Sequence, residues 1–231
     1  GSVFSTEQTF TMPYPQTDDF PGYALDLDGI DDYVNCGNEE SYNITNEITV
    51  EAWINADTWK TNYWEGTILG KEGGDLSGYV LRCGDEGRLS FSFGNGSWYE
   101  AVSNTIMLVE EWNHVAGVFD GSQIRIYING ILVGSTDVTS GIASSSSPIY
   151  IGESQYSGRH FDGKIEEVRL WNTALDQFQI RENKHLTLQT SEPGLVGYWQ
   201  FNEGSCSTAL DVINSNFGTL NNMTEEDWIT S

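Results

Sequence analysis

The sequence predicts an all-β fold of two packed antiparallel sheets, and three observations support this prediction. From Tyr23 onward, short apolar alternations of period two are broken by Gly, Asn, Asp and Ser. The dipeptide Asn129-Gly130 is the strongest type I′ hairpin signal in the chain. Only one segment, Gln177 to Lys184, is convincingly helical. The strands are numerous enough for two sheets in one domain, residues 22–231.

The first 21 residues are predicted to be an extended linker. Pro13, Pro15 and Pro21 stand among Thr, Gln and Asp without a sustained apolar period. The opening Gly1-Ser2 is typical of a cloning scar. The sequence is therefore expected to be a fragment of a larger, multidomain protein.

The predicted strands follow one another in short steps along the rest of the chain. In the first half, Ile48, Val50, Ala52 and Ile54 share one strand face, and so do Leu89, Phe91 and Phe93. The other predicted strands are Gly78 to Cys83, Arg88 to Phe93, Trp112 to Phe119, Gln123 to Ile128, Ile131 to Ser135, Ile149 to Gly152, Ile165 to Trp171 and Leu195 to Phe201.

Composition limits the classes of partner. The 231 residues contain 34 Asp and Glu against 10 Lys and Arg, a formal net charge of −24. Such a chain repels phosphate backbones and anionic lipid, so no nucleic-acid partner is expected. No segment approaches the roughly 20 apolar residues that span a bilayer, so no membrane insertion is expected either. A solvated acidic surface explains most of the acids, and binding of a divalent cation explains a few clustered ones.

Cysteines and histidines give little evidence of chemistry. Cys36, Cys83 and Cys206 are far apart and lack the spacing of a zinc site or redox pair, and one disulfide plus one free thiol remains open in three pairings. The three histidines are well separated along the chain. Without a nucleophile elbow, an HExxH helix or a phosphate-cradling glycine loop, nothing indicates catalysis.

Seven segments in order carry a family resemblance. They are YALDLDGIDDYVNCGN, ITVEAWIN, GRLSFSFGNGSWY, WNHVAGVFDGSQIRIYINGILVGS, IYIGES, FDGKIEEVRLWNTAL and GLVGYWQFNEG. Together they resemble the laminin G-like jelly-roll domains, which are related to concanavalin A-like lectins and glucanases. The resemblance covers residues 22 to about 231, and it is strongest to domains of secreted bacterial surface proteins and polysaccharide-active enzymes. It implies a jelly roll and a secreted or cell-surface location.

The resemblance also raises the possibility of glycoside hydrolysis, which the residues do not support. Jelly-roll hydrolases carry their carboxylates on one strand as E-x-D-x-x-E, and this hexapeptide is missing from the sequence. The nearest acidic strand offers only adjacent Glu166 and Glu167, whose side chains should point to opposite sheet faces. The domain is therefore predicted not to be an enzyme.

The run Leu25 to Val34 is the best candidate for a metal site. Asp28, Asp31 and Asp32 lie on a turn made tight by Gly29, whereas Asp26 is expected on a strand surface. Calcium takes 6 to 8 oxygen ligands, so a distant acid is needed. The resemblance implies that the strand FDGKIEEV lies beside this turn and often a structural calcium with it, which makes Glu166 and Glu167 candidates. Alternatively, the aspartates only cap the turn, and Glu167 pairs with Arg169.

Surplus aromatic residues predict glycan binding. Sugar rings stack their C–H faces on Trp and Tyr, while polar side chains bond the hydroxyls. Trp53, Trp112, Trp171 and Trp199 lie within strands and are expected in the core. The candidates lie in three other segments and are Trp59, Tyr63, Trp64, Trp98, Tyr99, Tyr156, Arg159 and His160.

The sequence thus favours a non-catalytic module that is stabilised by calcium and attaches a secreted or cell-surface protein to polysaccharide or a cell-surface glycan. One alternative is a structural spacer or protein-interaction domain of a large adhesin without glycan binding. Exposure of Trp59, Tyr63 and Trp64 around an open groove distinguishes the two.

Overall fold

The computed structural model describes residues 22–156, 158–205 and 207–231. The predicted linker, residues 1–21, and Cys206 lie outside the described residues. Sixteen strands and one α-helix, α1, form the described part, with short 3₁₀ helices at Glu40–Tyr42 and Glu225–Asp227. Within it no helix is both long and apolar enough to cross a lipid bilayer.

The all-β prediction is confirmed, and most predicted strands are present with small shifts at their ends. The strands are β1 Tyr23–Asp28, β2 Tyr33–Asn35, β3 Ile48–Ala56, β4 Thr67–Gly70, β5 Ser77–Arg82, β6 Arg88–Asn95, β7 Trp98–Ile106, β8 Asn113–Phe119, β9 Gln123–Ile128, β10 Ile131–Asp137, β11 Tyr150–Ile151, β12 Asp162–Trp171, β13 Leu195–Trp199, β14 Thr208–Asp211, β15 Asn216–Asn221 and β16 Trp228–Thr230. The helix α1 spans Gln177–Asn183.

All described strand pairs are antiparallel, and they form two layers. The first layer, here the back sheet, runs β10-β9-β8-β3-β12, with β1 and β16 added beside β12. The second, the front sheet, runs β15-β2-β11-β4-β5-β6-β7. β13 and β14 join the two layers at one edge. A β-sandwich results, as predicted.

The apolar strand faces meet between the layers. Ile48, Val50, Ala52 and Ile54 of the back sheet are buried in the same cluster as Leu89, Phe91 and Phe93 of the front sheet. Gly117 of β8 lies against the ring of Phe91, where a Cβ atom would stand 2.4 Å from Cγ. The sheets therefore approach most closely where a residue has no side chain.

A second apolar cluster covers part of the outer face of the back sheet. It includes Val118, Trp171, Leu175, Ile180 and Tyr198, so α1 and the segments around it shield this face from water. Beyond the end of the helix the cover stops, and the outer face opens to solvent.

The Asn129-Gly130 turn joins β9 and β10 in a hairpin. Asn129 and Gly130 have φ angles of 52° and 74°, as a type I′ turn requires, and Ile128 pairs with Ile131 across it. The hairpin prediction is thus confirmed.

Cys36 and Cys83 are both buried as free thiols, so the pairing of these two cysteines, one of the three left open, is not formed. Burial raises the pKa of both thiols, which makes them unreactive core residues.

Candidate functional site

The acidic turn at the end of β1 brings three carboxylates together. One oxygen each of Asp28, Asp31 and Asp32 lies within 4.8 Å of the others. The turn is held from outside as well, because Lys60 donates to the carbonyl of Gly29 at 2.9 Å and Asn222 donates to the carbonyl of Asp31 at 2.8 Å. Three carboxylates on a fixed turn are suited to a hard divalent cation.

Hydrogen bonds within the turn account for part of this geometry without a metal. Asp28 Oδ1 accepts from the backbone N–H of Ile30 at 2.8 Å and of Asp31 at 3.2 Å. Burial alone would raise the pKa of Asp28, but these N–H groups and that of Asp32 outweigh it, so the pKa is lowered. The turn-capping contacts that the alternative interpretation expects are therefore present.

Asp32 has the opposite electrostatic environment. It is buried, and burial together with the negative charges of Asp28, Asp227 and Asp31 raises its pKa to about 6, although the N–H of Asp28 opposes the shift. A cation at the turn would relieve this repulsion and hold Asp32 ionised. The donor set thus fits a calcium ion.

Among the described residues, three further acids adjoin the turn, namely Asp162, Glu153 and Asp227, and the two glutamates that the resemblance suggested are not among them. β1 does pair with β12, as expected, but Asp28 stands opposite Asp162. Burial raises the pKa of Glu153, and the negative charge of Asp31 raises it further. Glu166 and Glu167 lie four and five positions farther along β12, and the carboxylate cluster in the described residues does not include them. Asp162, Glu153 and Asp227 are therefore the candidates for additional oxygen ligands.

The three candidate residues of the loop before β4 differ in exposure. Trp59 is half-buried, packs against the core and donates from Nε1 to the carbonyl of Met107 at 3.1 Å. Tyr63 and Trp64 are 57% and 39% exposed, with their ring centroids 4.9 Å apart. Tyr63 and Trp64 therefore form an exposed aromatic pair, and Trp59 anchors the loop that carries them.

Tyr63 lines a groove on the outer face of the front sheet, and Trp64 packs against Tyr63 beside it. The groove has a volume of about 230 Å³ and is lined by Tyr63, Asp85, Arg88, Ser90, Glu100 and Val102. Behind this lining, Arg82 donates to Glu100 at 3.0 Å and its guanidinium lies 6.0 Å from the Tyr63 ring centre. One aromatic side, hydroxyl and carboxylate acceptors and a guanidinium donor are the groups that bind a sugar ring.

The segment before β12 adjoins this groove through ion pairs. Arg159 pairs with buried Glu72 at 3.0 Å, and Glu72 also lies 3.8 Å from Arg82. The Arg159 guanidinium lies 4.5 Å from the ring centre of Tyr156. His160, by contrast, is buried and pairs with Glu153 at 3.1 Å, near the acidic turn. Tyr156 and Arg159 thus extend the polar front face, whereas His160 belongs with the acidic turn.

Trp98 and Tyr99 belong to strand β7. Tyr99 packs inward against Phe93, with ring centroids 5.5 Å apart. Trp98 alternates with it and is half-buried on the same outer side as Glu100. Only Trp98 of the two can contribute to the front face.

A larger cleft, called here the back-sheet cleft, lies beyond the end of α1 and was not predicted. Its volume is about 710 Å³, and its walls include Tyr23, Trp53, Trp112, Glu166, Glu167, Lys184, His185 and Asn202. Trp53 and Trp112 are half-buried, so the prediction that both are core residues is wrong, while Trp171 and Trp199 are buried as predicted.

The prediction that Glu166 and Glu167 point to opposite faces is also wrong. One extra residue is inserted in β12 between Glu166, opposite Trp53, and Arg169, opposite Glu51. This bulge puts Glu167 at a φ of 53° and both side chains into the back-sheet cleft. A one-residue irregularity leaves no clear signature in an alternating sequence, which is why the cleft was missed.

Comparisons with known proteins agree with this architecture. The family described as "Concanavalin A-like lectin/glucanases superfamily" matches residues 28–181, more than half of the chain. No curated protein sequence matches the chain.

Among solved structures, a "putative carbohydrate binding protein" from Bacteroides ovatus superposes with a TM-score of 0.72 at 25% identity over 90% of this chain. The chain spans 60% of the length of that protein. Domain 4 of AbnA, an extracellular arabinanase from Geobacillus stearothermophilus solved with arabinotriose, gives a TM-score of 0.54 at 19% identity, covering 69% of this chain and 75% of that one. A pentraxin from Limulus polyphemus gives 0.55 at 16% identity, with 71% and 82% covered. The last two similarities show the fold alone.

Proposed function

Since the chain belongs to the concanavalin A-like lectin/glucanase superfamily, we propose that it is a non-catalytic carbohydrate-binding module that calcium stabilises and that works outside the cell. The carbohydrate-binding part is supported by the family and by the Bacteroides ovatus protein to which the chain is 25% identical. An extracellular location is in keeping with the arabinanase domain of the same fold. The module would attach a larger secreted or cell-surface protein to polysaccharide or to a cell-surface glycan.

The observation that carries the proposal is the exposed pair Tyr63 and Trp64 beside the front-face groove. Two exposed aromatic rings in contact, beside polar side chains that can bond hydroxyl groups, favour a ligand-binding surface over a spacer. At this groove, the C–H face of one sugar unit would stack on Tyr63 or Trp64, while Arg88, Ser90 and Glu100 would bond its hydroxyls. The groove is small, so we expect it to hold one unit of a longer chain.

A glycan array in calcium and in chelator tests this proposal. The double variant Tyr63→Ala/Trp64→Ala should lose binding at least about tenfold, because burying one aromatic ring contributes about 1.5–3 kcal/mol. Phe217→Ala is the matched control, since this ring is 65% exposed on β15 and lines neither the front-face groove nor the back-sheet cleft. If the native protein binds no glycan in either condition, the adhesin-spacer alternative replaces the proposal.

The module is proposed to be non-catalytic because the strand motif E-x-D-x-x-E of the jelly-roll hydrolases is missing from the sequence. A retaining glycosidase needs a nucleophile and an acid about 5 Å apart on the two sides of the scissile bond. Glu166 and Glu167 share the back-sheet cleft, but they are adjacent residues of β12, and Glu167 also supports the fold by accepting from Arg169 at 2.6 Å and from the Tyr198 hydroxyl. Release of reducing ends from any bound polysaccharide would contradict this part of the proposal.

The calcium proposal places the ion on Asp28, Asp31 and Asp32, with Asp162, Glu153 and Asp227 as further acids beside the turn. Such an ion would link the end of β1 to β12 and to the loop that carries Lys60, and so stabilise the fold that presents Tyr63 and Trp64.

Thermal unfolding tests the ion directly. Calcium at 100 times its Kd stabilises the folded state by about 2.7 kcal/mol, which raises the Tm of a domain of this size by about 5–10 °C. Asp31→Asn should abolish most of this increase, and Asp137→Asn, an exposed aspartate on β10, should leave it intact. An unchanged Tm on addition of calcium and of chelator would exclude a structural ion while leaving glycan binding open.

A further inference from the structure

The back-sheet cleft has a wall that is rigid before any ligand arrives. Arg169 donates to the carbonyls of Asn183 at 3.0 Å and Leu186 at 2.6 Å, and Trp53 Nε1 donates to the carbonyl of Lys184 at 2.6 Å. Three successive anchors therefore hold the segment after α1 against the outer face of the back sheet. A wall that is already ordered costs little entropy when a ligand binds.

The cleft presents aromatic surface from β3 and from the residue that precedes β8. Trp53 is half-buried, with the His185 ring 5.5 Å away and tilted by 38° and the Lys184 ammonium 5.4 Å from its centre. Trp112, just before β8, is also half-buried and lines the same space. Indole faces that border an open cleft are surfaces on which the C–H face of a sugar ring stacks.

Polar groups of both signs surround these rings. Glu166 and Glu167 offer hydrogen-bond acceptors in the cleft, and Lys184, His185 and Asn202 offer donors. The Glu167 charge is offset by Arg169 at 2.6 Å. Burial, together with the charge of Glu167, raises the pKa of Glu166 even though Ser231 donates to it. An acceptor that is partly desolvated in this way gains from a hydroxyl donor.

The mixture of charges selects a neutral ligand. Lys184 would repel a cationic ligand, and Glu166 would repel an anionic one. A charged ligand of either sign would therefore meet a like charge in the cleft. A hydroxyl-rich ligand meets neither repulsion, because each hydroxyl both donates and accepts. The volume of about 710 Å³ lies within the range of small-molecule sites.

We propose that the back-sheet cleft is a second saccharide site, separate from the front-face groove, in which a neutral oligosaccharide stacks on Trp53 and Trp112 and bonds through its hydroxyls to Glu166 and Lys184. The proposal takes the saccharide class from the chemistry of the cleft, and it deepens the proposed function because it gives the module two sites on opposite sheets. Two sites would let one module bridge two chains or two parts of one polysaccharide.

Indole N–H signals in a ¹⁵N-correlated NMR spectrum distinguish the two sites, because Trp53 and Trp112 report on the cleft and Trp64 on the groove. The probes are neutral tri- and tetrasaccharides of arabinan, xylan, β-glucan and galactan, titrated to about 10 mM, which saturates most of a millimolar site. We expect at least one of them to move the Trp53 and Trp112 signals, in the native protein and equally in Tyr63→Ala/Trp64→Ala.

Two variants confirm that the cleft itself binds. Trp112→Ala should weaken the response at Trp53 at least about tenfold, and Glu166→Gln, which keeps the side-chain size, should weaken it about threefold or more. Phe178→Ala is the matched control, since this ring is 70% exposed on α1 and does not line the cleft. If Trp112→Ala does not fold, the response of the Trp53 signal in Glu166→Gln decides whether the cleft binds the saccharide.

The remaining outcomes separate the two proposals. Movement of the Trp64 signal alone overturns the second site and leaves the proposed function standing. Movement of no indole signal with any probe overturns both. Tighter binding of a chitosan trisaccharide or of an oligogalacturonate than of every neutral probe overturns the assignment of a neutral ligand.

Discussion

At the residue scale, exposure separates the roles of similar side chains. Trp59 and Trp64 lie five residues apart in one loop, yet one is fixed to the Met107 carbonyl and the other stands in solvent beside Tyr63. Similarly, His160 was predicted to bind ligand, but it is buried and bonded to Glu153. The types of residue were predictable from the sequence, whereas their exposure depends on partners that are distant in sequence.

A buried ionic network supports the outer face of the back sheet. Glu51 is completely buried and contacts His114 at 3.4 Å, Arg169 at 3.5 Å and Trp171 Nε1 at 3.1 Å. Burial would raise the pKa of Glu51, but these three contacts outweigh burial and hold the pKa below its ordinary value. Because Arg169 also anchors the segment after α1, this network helps to shape the back-sheet cleft.

We expect Glu51→Gln to lower the free energy of unfolding by about 1.5–3 kcal/mol at pH 7, because buried Arg169 then keeps only one of its two carboxylate partners, Glu167. A lowered pKa in the folded state means that the unfolded chain binds more protons in acid, so the contribution of Glu51 is complete above about pH 4.3. It disappears as the pH falls through the pKa of the folded state. Urea titrations at pH 7 and pH 3 should therefore show the cost of the substitution shrinking towards zero in acid.

Glu111→Gln is the control for this prediction, since that carboxylate is exposed and its loss should change stability by less than about 0.5 kcal/mol at either pH. An equal cost of Glu51→Gln at pH 7 and pH 3 would contradict the ionic role of Glu51.

At the element scale, one strand irregularity creates the back-sheet cleft. Without the bulge in β12, residues 166 and 167 would alternate across the sheet and only one of them could face the cleft. The left-handed backbone of Glu167 is the local cost of bringing both there. The strand itself was predictable from its apolar alternation, and the bulge was not.

The helix α1 begins with a capping box that the sequence shows directly. Asp176 Oδ1 accepts from the N–H of Gln179 at 2.8 Å, and Gln179 Oε1 accepts from the N–H of Asp176 at 2.9 Å. This reciprocal pair fixes the start of a helix of only two turns. The helix in turn positions Lys184 and His185 at the wall of the cleft.

Asp176→Ala should therefore lower the free energy of unfolding by about 1 kcal/mol, or the Tm by about 2–4 °C. Asp176→Asn should keep most of the stability, because Asn caps a helix as well as Asp does. Differential scanning calorimetry measures both variants. If Ala and Asn at this position unfold at the same temperature, the cap does not stabilise α1.

At the scale of the whole molecule, the separation of the two layers depends on small residues at the centre. Gly117 faces Phe91 across the core, and both residues lie in strands whose neighbours are fully buried. The two proposed saccharide sites lie on the outer faces of the two sheets, so the packing between the layers sets the distance between them.

We expect Gly117→Ala to lower the free energy of unfolding by about 1–3 kcal/mol, because the new methyl group must displace the Phe91 ring. Gly74→Ala is the matched control, since the nearest atom to its new Cβ is 4.0 Å away. Combining Gly117→Ala with Phe91→Leu should recover part of the loss. Urea unfolding measures all three, and strictly additive effects of the two substitutions would show that the layers are not in tight contact at this point.

The sequence by itself determined the features that depend on neighbouring residues. Apolar alternation gave the strands, Asn129-Gly130 gave the hairpin, and Asp28, Asp31 and Asp32 gave a turn that can hold a cation, because each follows from backbone geometry over fewer than ten residues.

Only the tertiary structure decided which aromatic and acidic residues meet. It placed Asp162 and Glu153 near the acidic turn and put Tyr63 at an open groove with Trp64 packed against it. It also brought Trp53, Glu166 and Glu167 together in one cleft. These groupings join residues that are more than 130 positions apart, such as Trp53 and Lys184. They depend on how two twisted sheets, one bulge and one helix pack together, which no local pattern in the sequence specifies.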